Sequence, residues 1–192
     1  MLFQYANMKM DENEKGWQLL VRKAKNEWLE WAKALILAIV IALFLHTFIF
    51  ATSIVEGGSM EPTLEDGERL IFNKLIYIID EPKRGDIIII NHPDKNYVKR
   101  IIALPGESIE LKNSELYING ERYKENFLSD ELHNRTGEFG PIFVPEESYF
   151  VMGDNRVISK DSRNGLGYIQ RDEIIGRSEV IIYPFNELEM TR

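Results

Sequence analysis

The chain has no cysteine among its 192 residues. That absence excludes a disulfide scaffold, a thiolate metal site and a cysteine nucleophile. Histidine is nearly as scarce. His46, His92 and His133 stand far apart, so no His-rich metal site is expected, and no cofactor is expected. Basic residues are in deficit, 23 Lys and Arg against 31 Asp and Glu for a net −8. A nucleic-acid partner is therefore not expected. The phosphate-binding P-loop, the HExxH zinc motif and the dinucleotide glycine fingerprint are all missing. With 44% hydrophobic and 28% charged residues, wholesale disorder is excluded as well.

One segment lacks any Asp, Glu, Lys, Arg, Gly or Pro: Ala34 to Phe50, ALILAIVIALFLHTFIF. Counted from Trp31, about 20 helical residues at 1.5 Å each reach roughly 30 Å, the thickness of a bilayer core. Its apolarity runs all round the helix, unlike the one-sided stripe of a helix packed on a soluble core. It is too long for a cleaved signal peptide, and some thirty residues, many of them charged or aromatic, precede it. Trp28 and Trp31 suit an interfacial belt. The expected organisation is a cytoplasmic segment 1–30, a transmembrane helix 31–50 and an extracytoplasmic domain 51–192. Orientation follows from charge. Arg22, Lys23, Lys25 and Lys33 precede the span, and no Lys or Arg follows it until Arg69. Basic flanks stay on the cytoplasmic side. The first fifty residues carry six basic and five acidic residues, and the rest 17 and 26. The external part, net −9, thus holds all the acidic excess.

The external part reads as β. Arg69–Phe72, Asp86–Ile90, Tyr97–Ile102, Ser148–Met152 and Glu179–Tyr183 are short β-branched or aromatic runs. Asn119-Gly120 between Glu115–Ile118 and Glu121–Tyr123 predicts a type I′ hairpin. Turn residues punctuate the chain at Pro105-Gly106, Gly140-Pro141, Gly165 and Gly167. The expected class is mainly β, an all-β, barrel-like domain behind one transmembrane helix. Residues 124–140 are polar and without pattern, and read as a mobile loop.

Two residues carry candidate chemistry. Ser59 follows Gly57 and Gly58 just beyond the span. The glycines let backbone N–H groups approach a substrate, and Pro62 biases Glu61 toward extended backbone. Taken in isolation, Gly-Gly-Ser reads as a solvated juxtamembrane turn rather than as a catalytic segment. In Tyr97-Val98-Lys99-Arg100-Ile101-Ile102, alternation puts Lys99 on the face of Tyr97 and Ile101, and Arg100 on that of Val98 and Ile102. One of the two must face an apolar neighbourhood, and alternation does not say which. A buried lysine can lose its charge and act as a base, whereas an arginine cannot. A Ser-His-Asp triad would need His92 or His133, both in loop-like surroundings.

Three ordered segments resemble one family. Gly58-Ser59-Met60-Glu61-Pro62-Thr63-Leu64 is similar to the nucleophile box of the bacterial type I signal peptidases. Val98-Lys99-Arg100-Ile101-Ile102-Ala103-Leu104-Pro105-Gly106 is similar to their general-base box. Gly153-Asp154-Asn155-Arg156, continuing through Ser159 to Asp161-Ser162-Arg163, is similar to their C-terminal signature. The form is the short, single-span one. The resemblance implies the catalytic fold shared with LexA-type proteases, Ser59 as nucleophile and Lys99 as neutral general base. It implies that Ser159 hydrogen-bonds and orients the amine, and that Asp161 and Arg163 form a supporting ion pair. The oxyanion would be held by backbone at Ser59 and Gly57. Gly57 stands where some relatives have a serine hydroxyl, Glu56 where proline is common, and Ala103 where many have glycine. Met60, Leu64, Tyr97 and Val98 would line shallow pockets for small side chains at −3 and −1 of a membrane-bound preprotein. The expected function is removal of signal peptides from exported proteins. The alternatives are a LexA-type self-cleaving protease, disfavoured by the span and by the lack of a DNA-binding helix pair, and a non-catalytic anchored β module.

Overall fold

A computed structural model describes residues 28–44, 49–129, 136–184 and 189–191. The chain divides into two units, residues 1–47 and 48–192. In the first, residues 28–44 form a helix, α1, whose side chains are almost all exposed, Trp31 at 77% and Leu37 at 60% among them. Among the described residues no helix is long and apolar enough to cross a membrane. Residues 45–48, with His46, lie outside the described residues, as do the basic residues at 22, 23 and 25. Phe50, the expected end of the span, instead opens a strand.

The second unit is built of antiparallel strands. In chain order they are β1 Phe50–Ile54, β2 Arg69–Asn73, β3 Ile87–Ile90, β4 Tyr97–Ala103, β5 Ser108–Lys112, β6 Glu115–Ile118, β7 Glu121–Tyr123, β8 Phe139–Phe143, β9 Ser148–Met152, β10 Ile169–Gln170, β11 Ile174–Tyr183 and β12 Glu189–Met190. A short helix, α2 (Ile76–Ile79), lies between β2 and β3. The larger sheet runs β1-β2-β11-β3-β4-β9-β10 with β12 on β11, and the smaller runs β7-β6-β5-β8. The mainly β class holds.

The larger sheet is covered on both faces, which explains the unbroken isoleucines of β3. Ile88 and Ile90 pack with Tyr97, Ile101 and Val151, while Ile87 and Ile89 pack with Met60, Leu64, Leu70 and Phe72. A strand buried on both sides has no polar face to show. The same fact explains β4, where Lys99 and Arg100 are both buried, at 2% and 5% exposure.

The Asn119-Gly120 hairpin is present, with φ of 52° and 81° between paired Ile118 and Glu121. The β5–β6 hairpin likewise has two successive positive φ values, 53° and 60°, at Asn113 and Ser114. With no glycine there, its turn carried no strong signal. Gly140-Pro141, read as a turn, lies inside β8, an edge strand, where a missing N–H donor is tolerated. Residues 130–135 of the expected mobile loop, with His133, lie outside the described residues. Of the rest, Glu125 is buried in an ion pair with Arg156, and Phe139 and Gly140 belong to β8.

Candidate active site

Ser59 lies in the turn between β1 and β2, and Lys99 projects from the middle of β4. Hydrogen bonds from Thr63 and Leu64 N–H to the Met60 carbonyl close that turn, at 2.9 and 3.1 Å. Met60 and Leu64, both fully buried, pin it to the core. Lys99 Nζ stands 2.7 Å from Ser59 Oγ and donates to the Val98 carbonyl at 2.9 Å. Burial lowers the Lys99 pKa to about 8. The negative charges of Asp161 and Asp154 oppose that shift, and the positive charge of Lys95 adds to it. The charged amine loses its hydration and finds no carboxylate contact to replace it.

The third motif closes around this pair. Asn155 N–H donates to the Ser59 carbonyl at 3.1 Å. Gly153 sits so close that a Cβ there would lie 2.3 Å from both the Ser59 carbonyl oxygen and Ser159 Oγ. Asp161 and Arg163 form the expected ion pair in fork geometry, at 2.9 and 2.8 Å, and Gly153 N–H donates to the same carboxylate. Burial alone would raise the Asp161 pKa, but Arg163 and the Gly153 N–H outweigh it and hold the carboxyl below its ordinary value.

Three expectations are corrected. Ser159 is fully buried, yet its Oγ makes no hydrogen bond within 3.5 Å. Its hydroxyl is near enough only to add weakly to the stabilisation of Asp161, and the Lys99 amine is held by the Val98 carbonyl instead. Gly57 N–H is occupied, donating to Asp66 Oδ1 at 2.7 Å, so it is not free for an oxyanion. Ser59 N–H has no acceptor among the described residues. Leu64 is part of the core and does not face the cleft.

A cleft of about 370 Å³ opens at Ser59 and Lys99, lined by Ser53 and Ile54 of β1, Met60, Tyr97 and Val98. A larger cleft of about 780 Å³ lies over residues 113–129 and includes neither Ser59 nor Lys99. His92 pairs with Asp94 and meets Tyr97 edge-on at 5.5 Å, and is not among the residues that line the Ser59 cleft.

Sequence reasoning missed two features. The first is the β1 wall, concealed because Phe50 closes the apolar run. The second is the partner of Arg100. Its guanidinium grips Asp154 at 2.9 and 2.7 Å, and Thr63 donates to the same carboxylate at 2.6 Å. One buried carboxylate thus joins all three motifs. The adjacency of Lys99 and Arg100 on a buried strand was the available signal, since a buried guanidinium needs an anion.

A serine hydroxyl held against a buried, weakly basic amine can act as nucleophile and base, the chemistry of a serine hydrolase that uses no histidine. The family described as signal peptidase, peptidase S26, matches residues 28–183. Signal peptidase I T of Bacillus subtilis (strain 168) is 46% identical over 191 residues, 95% of this chain and 99% of its own length. Signal peptidase I of Bacillus licheniformis is 49% identical over 176 residues, 87% of this chain and 95% of its own. The crystal structure of a signal peptidase I from Enterococcus faecalis V583 is 35% identical, covers 52% of this chain and 97% of its own, and superposes with a TM-score of 0.47. The chain belongs to the signal peptidase family, peptidase S26.

Proposed function

We propose that this chain removes N-terminal signal peptides from exported preproteins as a membrane-anchored serine endopeptidase, with Ser59 as nucleophile and Lys99 as general base. The observation that carries the reading is the 2.7 Å approach of the buried Lys99 amine to Ser59 Oγ. Neutral Lys99 takes the hydroxyl proton as Oγ attacks the scissile carbonyl. The Ser59 N–H donates to the oxyanion that forms. Lys99, now an ammonium, gives its proton to the departing amine and leaves an acyl-enzyme. Water, deprotonated by the same amine, releases the signal peptide.

Met60, Tyr97 and Val98 shape the pockets for small residues at −3 and −1. Asp161 and Arg163 fix the loop that carries Ser159. Helix α1 belongs to a membrane span that begins at Trp31 and ends before β1, with residues 1–30 cytoplasmic and the catalytic domain of the LexA-type fold outside. The apolar surface that α1 exposes on every side supports this, as do the basic residues before it.

The test is cleavage of a preprotein with Ala at −3 and −1 by Ser59→Ala, Lys99→Arg and the double variant, with mass-spectrometric mapping of a serine-directed acylating inhibitor. All three variants are expected to be inactive and the inhibitor to be found on Ser59. An active Lys99→Arg enzyme overturns the neutral-lysine mechanism, because arginine does not give up its proton.

A further inference from the structure

The cleft at Ser59 carries a charge that the chemistry of the dyad does not use. Lys95, two residues before β4, lines it together with Tyr97 and Lys99. The three are spaced two residues apart, so an extended chain turns them to one face. They meet at the Tyr97 ring, with Lys95 Nζ 5.4 Å from its centroid and Lys99 Nζ 5.9 Å. Lys160, from the loop that carries Ser159, brings a third ammonium to 5.6 Å and donates to the Tyr97 hydroxyl at 3.4 Å. The ring face attracts cations, but one ring does not neutralise three of them.

Lys95 and Lys160 are exposed, and among the described residues neither pairs with a carboxylate. In a domain of net −9, carboxylates are not scarce; those nearby are taken. Asp94, the neighbour of Lys95, gives one oxygen to His92 and accepts from the Tyr97 hydroxyl with the other at 3.0 Å. Asp161 and Asp154 are held by Arg163 and Arg100. Glu56 also lines the cleft, but it follows β1 and stands on that wall. The β4 wall therefore offers a cation with no anion of its own. We propose that Lys95 is a specificity-determining residue, which receives an acidic side chain of the substrate about four residues from the scissile bond and turns a basic one away. This rests on the reading of Ser59 and Lys99 as nucleophile and base, because the dyad marks the scissile bond. Lys95 lies four residues from Lys99, about 13 Å along an extended wall, and a peptide lying extended in the cleft advances at the same rate per residue. The positive charge of Lys95 is felt at the base, where it lowers the Lys99 pKa, so the two share one field. A substrate carboxylate completes an ion pair that the protein leaves open, and a substrate ammonium meets Lys95 and Lys160 together.

The test is a charge swap on both sides of the contact. Soluble peptides with Ala at −3 and −1 carry Asp, Ala or Lys at each position in turn from −6 to −4 and from +4 to +6. The full-length enzyme and its Lys95→Arg, Lys95→Gln and Lys95→Glu variants are assayed in detergent at low ionic strength. At one of these positions the unsubstituted enzyme should prefer Asp to Lys by about fivefold in kcat/KM, with the difference in KM. Lys95→Arg should keep that preference, Lys95→Gln flatten it and Lys95→Glu reverse it. The long-range field of an acidic domain favours the basic peptide, so a preference for Asp reports the local cation. Each ratio compares two peptides on one enzyme, and a general loss of activity in a variant cancels. The preference should fade in about 1 M NaCl, where exposed charges are screened. Equal kcat/KM for Asp and Lys at every position, or a preference that Lys95→Glu leaves in place, overturns the assignment of Lys95 and leaves the dyad standing. Failure of the unsubstituted enzyme to cut the all-Ala peptide overturns the reading of Ser59 and Lys99 instead.

Discussion

Arg100 holds Asp154 through two hydrogen bonds, Nε to Oδ1 at 2.9 Å and Nη2 to Oδ2 at 2.7 Å, with both side chains buried. The fork links β4, which carries Lys99, to the loop whose Asn155 N–H holds the Ser59 carbonyl. Asp154→Ala leaves the guanidinium uncompensated and should cost about 3–5 kcal/mol. Arg100→Lys, a point charge without the fork, should also lose stability and activity together. Urea unfolding of the folded variants checks this. A wild-type midpoint for Asp154→Ala would show that the pair holds nothing.

Activity should depend on pH through Lys99. Its pKa is lowered to about 8, with burial as the main cause, and only the neutral amine can accept the serine proton. The kcat/KM profile should therefore climb with pH around 8 and fall away as pH drops through that value. His92→Gln should leave the limb in place, because His92 pairs with Asp94 instead. Loss of the limb in that variant would assign the base to the histidine.

Burial of the lysine works against stability. With the folded pKa near 8 and the ordinary value 10.5, the unfolded chain binds the extra proton between these limits. Stability then rises with pH across that window, and the full penalty is present at pH 7. Lys99→Met should be inactive and more stable at pH 7 by about 3 kcal/mol, the gain shrinking as pH rises from 8 toward 10.5. Thermal unfolding at pH 7 and 10 measures both. A destabilised Lys99→Met at pH 7 would contradict the desolvated amine.

Ser159→Ala removes a buried hydroxyl that has no hydrogen-bond partner. Stability should stay level or rise slightly. If the hydroxyl orients the amine during proton transfer, kcat should nevertheless fall about 10²-fold. Full activity would remove Ser159 from the machinery and leave Ser59 and Lys99 untouched.

Gly153→Ala should be nearly inactive though folded. Its Cβ would stand 2.3 Å from the Ser59 carbonyl oxygen, and relief of that contact must move the nucleophile. A displacement of about 1 Å can cost 10²-fold, measurable as kcat on a soluble peptide.

The β class, seven of the strands and the type I′ hairpin at Asn119-Gly120 were legible in the sequence, because alternation and turn chemistry are local. Ser59 and Lys99 were legible through motifs of contiguous residues. Other features needed the tertiary structure. Residue alternation along β4 could not choose between Lys99 and Arg100, because both faces of the larger sheet are covered and each residue found its own partner, Ser59 or Asp154. The engagement of Gly57 N–H by Asp66, the placement of Leu64 in the core and the unpartnered Ser159 hydroxyl were equally hidden. β1 was masked by the apolar run that ends in it, and β5 lay beyond a turn without glycine. Local sequence sets backbone preference and residue chemistry, but a hydrogen bond between residues forty or ninety positions apart exists only once the sheets have packed.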